Sequence, residues 1–399
     1  MSRGGLRVLY VAPYVPSPVR TRPWNVLRRL AARGYRITVV ALEDGYATDA
    51  DRAALAGFRE AVHLIPHPVW RGALHALAAV PTRTPLSAAW CASPALARQV
   101  RSLASSGAFD VAHVEHLRAA AHVSGALGSL PRVLDAVDCL TDLFRQRRER
   151  DTGPLRTLLS GVEAARLRWA EPHYYRGFSR VAVTTEAEAE ALGILAPELP
   201  LAVVPNGVDA EVFRPRADVA PEPGLLVFSG KLSYFANEDA AGYLLDEILP
   251  RVRRRIPEAR LLLAGARPSR RLQERATRAG GVTLTGYVDD LAAELARAWA
   301  AVCPLRIAAG VQNKLLEALA VGVPVVAPAR AARSLPDAPA GALRVADGPE
   351  ALASACAEAL ERSPEERRRD GAAGRQYVCG RFGWDRAAEG FTELYASAQ

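Results

Sequence analysis

The stretch Arg7-Val8-Leu9-Tyr10-Val11-Ala12-Pro13-Tyr14 is an apolar run held between an arginine and a proline-rich segment. A run with no polar alternation reads as a strand buried on both faces, and such strands belong to parallel sheets. Pro13, Pro16 and Pro18 mark a loop, after which Trp24 to Arg33 carries Leu27, Leu30 and Ala31 at helical spacing. Gly34 is placed to stop that helix, and Ile37–Leu42 is the next apolar run. Strand, helix and strand in this order predict a right-handed parallel crossover.

The same alternation continues. Further strands are predicted at His63–Pro66, Val111–Val114, Arg132–Ala136 and Val181–Thr184. The texture changes near residue 196: Pro197 and Pro200 precede a short run, Leu201–Val204, and a polar, proline-containing stretch spans Pro215 to Gly224. A second series then places strands at Leu225–Ser229, Arg260–Ala264, Val282–Thr285, Ala300–Pro304 and Val323–Ala327, with helices from about Glu350 and Ser363. The expected architecture is α/β: two doubly wound, Rossmann-like domains facing a central cleft, over residues 1–200 and 201–383. A last helix, 384–399, can pack on either.

The 399 residues are half apolar, enough for two cores, and carry a net charge of +8. Arg3, Arg7, Arg20, Arg22, Arg28, Arg29, Arg33 and Arg36 all precede the first acid, Glu43. They read either as a solvated face or as an attraction for an anionic partner such as a phospholipid surface. Five cysteines, Cys91, Cys139, Cys303, Cys356 and Cys379, show no metal-ligand spacing and fit a reducing compartment. No signal-peptide pattern and no membrane-spanning run is visible, so the expectation is a cytoplasmic protein, peripheral at the inner face if it meets a membrane. Aromatic and basic residues are not interleaved, which argues against nucleic acid. No Gly-x-Gly-x-x-Gly follows the first strand and no Walker motif appears, which argues against a nicotinamide dehydrogenase or a P-loop enzyme.

The chain holds two lysines, Lys231 and Lys314, and four asparagines, Asn25, Asn206, Asn237 and Asn313. Every other cation is an arginine, a planar fork where lysine is a compact point charge. Lys314 lies in Gly310-Val311-Gln312-Asn313-Lys314-Leu315-Leu316-Glu317, where Gly310 permits a tight turn and a helix from about Val311 offers backbone N–H groups and a positive dipole end to a diphosphate. Lys314 and Glu317 share a helix face, and a carboxylate there can accept from the vicinal hydroxyls of a ribose. An ordinary surface Lys–Glu pair is the other reading. Gly230-Lys231 ends the first strand of the second domain, where open α/β sheets bind ligands. Asn206-Gly207 by itself is a turn signal. In the first domain His113, Glu115 and His116 end one strand and Asp135 and Asp138 the next. They read as acceptor-side groups or as structural ones, and no third ligand has spacing that favours zinc.

Taken together, these residues resemble a retaining glycosyltransferase of family 4, the two-domain GT-B type. Asn206-Gly207-Val208-Asp209 is similar to the signature that opens the family's second domain, and Gly286-Tyr287-Val288-Asp289 to its segment near the nucleotide base. Pro304-Leu305-Arg306 followed by Gly310-Val311-Gln312-Asn313-Lys314 looks like the subgroup associated with exopolysaccharide and exosortase loci.

The resemblance implies a nucleoside-diphosphate-sugar donor, a glycan, lipid-linked or small-molecule acceptor, and no cofactor or metal. Gly230, Lys231, Gly265, Tyr287, Val288, Gly310, Val311, Gln312, Asn313, Lys314 and Glu317 are then expected around the donor. His113, Glu115, His116, Asp138, Arg20 and Arg22 are expected on the acceptor side. Of these, Lys231, Lys314, Glu317, Glu115 and His116 would act on the reaction. In the family's Glu-x7-Glu pair the second member falls on Glu317 and the first on Ala309, so Lys314 or Asn313 would have to compensate. The family's amino-terminal glycine pair is replaced by Pro18-Val19-Arg20-Thr21-Arg22, and its second acceptor-side histidine by Glu115, with His116 one residue later. A nucleotide-sugar epimerase and a catalytically silent sugar-nucleotide binding protein are the alternatives of the same architecture.

Overall fold

A computed structural model describes residues 5–399 except 44, 46, 58, 59 and 152, so Arg3 lies outside the described residues. The chain divides into two compact units: Met1–Pro205 together with Trp384–Gln399, and Asn206–Gly383.

The first unit is built on seven described strands: β1 Arg7–Ala12, β2 Arg36–Glu43, β3 Val62–Pro66, β4 Val111–Glu115, β5 Arg132–Val137, β6 Arg180–Val183 and β7 Leu201–Val203. They form one sheet in the order β3-β2-β1-β4-β5-β6-β7, parallel throughout. The first strand is shorter than its apolar run suggests: it ends at Ala12, leaving Tyr14 in the loop. Helix Thr21–Ala32 returns the chain to β2 and closes at Gly34, whose φ is +86°. The Tyr35 N–H reaches back to the Leu30 carbonyl at 3.2 Å, a Schellman-type closure.

Helix Trp384–Ala398 belongs to this first unit. Trp384, Phe391 and Tyr395 are fully buried in the same core as Val8, Tyr10, Leu27 and Val39. Each such ring contributes about 2–3 kcal/mol of transfer free energy. The last helix is therefore part of the first unit's core rather than an appendage.

The second unit has six described strands: β8 Glu222–Ser229, β9 Arg260–Ala264, β10 Val282–Gly286, β11 Ala298–Val302, β12 Val325–Ala327 and β13 Leu343–Val345. Their order is β10-β9-β8-β11-β12-β13, again all parallel. β11 starts and stops two residues before the predicted Ala300–Pro304, and β13 falls outside the predicted strands. The helix expected from Val311 starts at Asn313 and ends at Gly322, in the left-handed region at φ +88°.

Both sheets reverse strand order at an inner pair, β1/β4 in the first unit and β8/β11 in the second. Beyond the carboxyl ends of such a pair the connections diverge to opposite faces and leave a crevice. The fold thus fixes one candidate position per unit before any side chain is considered.

Candidate functional site

In the second unit the crevice lies between Ser229-Gly230-Lys231, which leaves β8, and the loop from β11 to helix Asn313–Val321. Gly230 has φ +143° and Gly310 φ +61°, conformations that L side chains rarely adopt. A Cβ on Gly230 would lie 3.3 Å from the Lys314 Cε and 2.8 Å from the Asn237 Nδ2. Residues 84 positions apart in sequence therefore meet at one strand end, where a Cβ would press on the Asn237 amide. Asn237 Nδ2 donates to the Lys231 carbonyl at 3.0 Å, holding the turn. The Lys231 side chain is exposed. Lys314 Nζ stands 5.9 Å from the centre of the Phe228 ring, within reach of the ring's negative face.

Helix Asn313–Val321 starts without a side-chain cap and without an acid in its first turn. Its positive dipole end is left uncompensated by its own residues, as an anion site requires. Gln312, expected near the donor, instead donates its side-chain amide to the Ala309 carbonyl at 2.6 Å. Asn313 Oδ1 accepts from Asn206 Nδ2 at 3.0 Å, which brings the Asn-Gly turn to the mouth of this helix. Burial pushes the Glu317 carboxyl up to about 7, with the Lys314 charge pulling the other way. Arg306, in the loop that leaves β11, is committed to Asp239 (3.0 Å from Nε) and to the Tyr243 ring at 4.5 Å.

Gly265 continues the site along β9. A side chain there would overlap the Gly230 carbonyl, and its N–H donates to Thr285 Oγ1 at 3.3 Å. An isolated bridge joins Gly265 to Gly286, after which Tyr287 is 68% exposed. Val288 beside it is half-buried. The predicted donor residues thus line the carboxyl edge of β10, β9, β8 and β11 in one row. A separate groove of about 920 Å³ lies at the opposite end of the same helix, beside Gly322. Its Arg216 is paired with Asp218 and Asp290, and its Arg367 and Arg375 are bonded to backbone carbonyls, so it offers no comparable cradle.

The corresponding crevice of the first unit holds a buried acid. Glu115, the last residue of β4, is 1% exposed and accepts from the hydroxyls of Tyr10 (3.2 Å) and Tyr14. Burial pushes its carboxyl up to about 7 against the pull of those two donors. The Arg20 guanidinium carbon lies over the Tyr14 ring, 3.8 Å from its centre. His116 follows with φ +66°, and Val137, at the end of β5, has φ +71°. For a β-branched residue this is strained backbone, of a kind that persists where the surrounding structure imposes it. His116 Nδ1 accepts from the Arg118 N–H at 3.3 Å, and burial lowers its pKa well below the usual histidine range. Asp138 accepts from Thr184 at 3.3 Å, and burial together with nearby Glu188 raises its carboxyl to about 7.

Two expected acceptor-side residues are structural here. His113 is fully buried, stacked on Tyr10 at 4.4 Å and bonded through Nδ1 to the Tyr395 hydroxyl at 2.7 Å. Burial lowers its pKa to about 4. Arg22 is buried in a bidentate pair with Asp135, at 2.7 and 2.9 Å. The amino-terminal arginine run is likewise engaged within its own unit. Arg7 pairs with Asp110, Arg36 with Glu60, and Arg29 and Arg33 with Asp385. The sequence alone does not mark Tyr10 and Tyr14 as partners of Glu115; a tyrosine directly after an apolar strand is the one signal for Tyr14. Among the described residues no three His, Cys, Asp or Glu side chains form a metal-binding group.

Comparison with known proteins bears on the family and the fold. A Glycosyltransferase Family 4 model matches residues 19–212 and a Glycosyl transferases group 1 model residues 223–362. A phosphatidyl-myo-inositol mannosyltransferase of Mycobacterium tuberculosis is 28% identical over 369 residues, covering 89% of this chain and 86% of the relative. Sucrose-phosphate synthase from Thermosynechococcus elongatus superposes with a TM-score of 0.73 at 16% identity over 98% of both chains. Anabaena HepE in complex with UDP-glucose does so with a TM-score of 0.69 at 15% identity, over 98% of this chain and 100% of that one.

Proposed function

This chain is a glycosyltransferase of GT-B architecture, and we propose that it moves a sugar from a nucleoside-diphosphate donor to a glycan, lipid-linked or small-molecule acceptor with retention of configuration. The observation that carries the reading is the meeting of Gly230-Lys231, Asn237 and Lys314 at the uncapped start of helix Asn313–Val321. A departing nucleoside diphosphate develops negative charge, and fixed N–H dipoles with two ammonium groups stabilise that charge where it forms. Glu317, half-buried on the same helix, would accept from the ribose hydroxyls. Tyr287 and Val288 would flank the base. UDP-glucose in the structural relative HepE supports a sugar-nucleotide donor, and the mannosyltransferase relative supports a polyol or lipid acceptor.

Retention fits a site that offers stabilised phosphate oxygens on the donor side. One of those oxygens would take the acceptor's proton as the new glycosidic bond forms, while the bond to the diphosphate breaks on the same face. Glu115 and His116 would position the acceptor in the first unit. The epimerase and silent-binder alternatives are not favoured, because both family models and the curated relative describe transferases.

A thermal-shift screen of uridine, guanosine and adenosine diphosphate sugars tests the donor class. A stabilising sugar nucleotide whose effect vanishes in Lys314→Ala supports the reading. The absence of a shift with every donor overturns it. The anomeric configuration of the product, read by NMR coupling, decides between retention and inversion.

A further inference from the structure

The loops that leave β8, β9 and β11 are each tied to one short helix, Phe235–Tyr243. Its residues Asn237, Glu238 and Asp239 are consecutive, so their side chains leave the helix axis about 100° apart and reach in three directions. On the β8 side, Asn237 Nδ2 donates to the Lys231 carbonyl at 3.0 Å. On the β9 side, Glu238 Oε1 accepts from the Ser269 hydroxyl. The same Ser269 oxygen accepts from the Leu272 N–H at 3.2 Å and so caps helix Arg270–Ala279. On the β11 side, Asp239 accepts from both arms of the Arg306 guanidinium, with Oδ2 3.0 Å from Nε. That guanidinium also stands over the ring of Tyr243, 4.5 Å from its centre and one helical turn beyond Asp239.

The helix is well seated and the loops are irregular. Ala236, Ala240, Ala241 and Gly242 are buried, and a Cβ on Gly242 would meet the Arg275 guanidinium at 2.5 Å. The Lys231 carbonyl accepts from the Tyr234 N–H at 3.0 Å as well as from Asn237. Residues 303–312 hold no helix or strand. Leu305, Ile307 and Ala308 are buried there, while the Arg306 side chain is 33% exposed. An ion pair that water reaches adds little to stability, but a two-armed pair fixes geometry. Glu238 stands in the first turn, where an acid also suits the helix dipole. That accounts for its charge and not for its bond to Ser269. The three loops also bear on one another. A side chain at Gly265 would overlap the Gly230 carbonyl, and a Cβ on Gly230 would lie 3.3 Å from Lys314 Cε.

We infer that Glu238 and Asp239, with Asn237, are positioning residues for the sugar-nucleotide donor. They set the spacing of the Gly230-Lys231 turn, the loop from Gly265 to Ser269 and the loop that carries Gly310, acting through Lys231, Ser269 and Arg306. The inference rests on the donor reading of the same crevice. Fixed dipoles and cations serve a diphosphate only when held within about 0.5 Å of the productive geometry, and a displacement of about 1 Å costs up to about 100-fold.

Calorimetric titration of the full chain with UDP-glucose, GDP-mannose and ADP-glucose, continued with the tightest of the three, tests it. Asp239→Ala and Arg306→Ala should each weaken binding roughly tenfold, and the double variant should lose no more than either single one. Arg306→Lys keeps the charge without the fork and should bind as weakly as Arg306→Ala. Glu238→Ala should weaken binding by a similar factor, and Glu238→Gln, which still accepts from Ser269, should recover most of that loss. Melting temperatures should stay within a few degrees of the parent. Arg255→Ala, which breaks a pair with Glu361 at the end of helix Leu249–Arg255, should bind as the parent does. Equal affinity in the parent, Asp239→Ala and Glu238→Ala overturns this inference and leaves the donor reading standing. So does a loss that follows melting temperature across the series and persists in Glu238→Gln, which would make the contacts structural. A parent that binds none of the three sugar nucleotides overturns both.

Discussion

Asn206 donates its side-chain amide to Oδ1 of Asn313 at 3.0 Å, across 107 positions of sequence. Two of the chain's four asparagines are thereby spent on one contact. It ties the turn that opens the second unit to the first residue of the helix proposed to hold the diphosphate. A part-buried side-chain pair of this kind contributes about 1 kcal/mol net.

Asn206→Ala and Asn313→Ala are each expected to weaken sugar-nucleotide binding several-fold, and the double variant to lose little more than either single one. A double-mutant cycle by calorimetry should return a coupling of about 1 kcal/mol. Additive losses would separate the two residues.

Lys231→Ala and Lys314→Ala should each lower transfer by about 100-fold or more, by analogy with loss of one charge-stabilising donor. Melting temperatures should barely move for Lys231, whose side chain is exposed. Lys314→Arg should not restore activity, because a fork is wider than the space beside Gly230. Rescue by arginine would show that charge alone suffices.

Gly230→Ala should cost about 1–3 kcal/mol of stability, since φ +143° and the Asn237 amide both oppose a Cβ. Donor binding should fall with it. Denaturant titration alongside calorimetry checks both effects in one preparation.

Glu115 gives a pH dependence with a definite sign. Its carboxyl titrates near 4.5 when unfolded and is pushed up to about 7 by burial in the fold. Its contribution to stability is complete below about pH 4.5 and is lost as pH rises through about 7, where the folded protein must ionise a carboxyl shielded from water. The melting temperature should therefore decline between about pH 4.5 and pH 7 and level off above that. Glu115→Gln should make that decline shallower without abolishing it, because Glu171 is raised to about 7 in the same unit, again by burial.

Phe391→Ala should destabilise the first unit by about 3–5 kcal/mol, as expected for a fully buried aromatic ring. The second unit should melt as before, since helix Trp384–Ala398 packs within the first. Calorimetry with separable transitions would reveal the asymmetry, and equal shifts in both would contradict it.

The strands that sequence located well were those with long unbroken apolar runs. β1, β2 and β9 fall within two residues of their predicted ends, because burial on both faces leaves no polar position to confuse the pattern. β13 has three residues and ends at an exposed Val345, too short to carry a period. The segment proposed to hold the donor stands out in the sequence through its rare residue types, Lys231, Asn237 and Lys314. The approach of Lys314 to Gly230 does not, because it depends on which strands are neighbours. Arg22 and His113 show the reverse failure. Both look functional in a list of polar residues, and both are core members once Asp135 and Tyr395 are found beside them.

The first unit begins at one end of the described chain and is completed from the other. Synthesis runs in one direction, so the ribosome delivers β1 to β7 long before Trp384, Phe391 and Tyr395 emerge. During that interval Tyr10 and His113 have no ring to cover them, while Asn206–Gly383 can already mature as a unit. The nascent chain is thus obliged to finish its middle before its beginning, and the early sheet is the part that chaperones would be expected to hold.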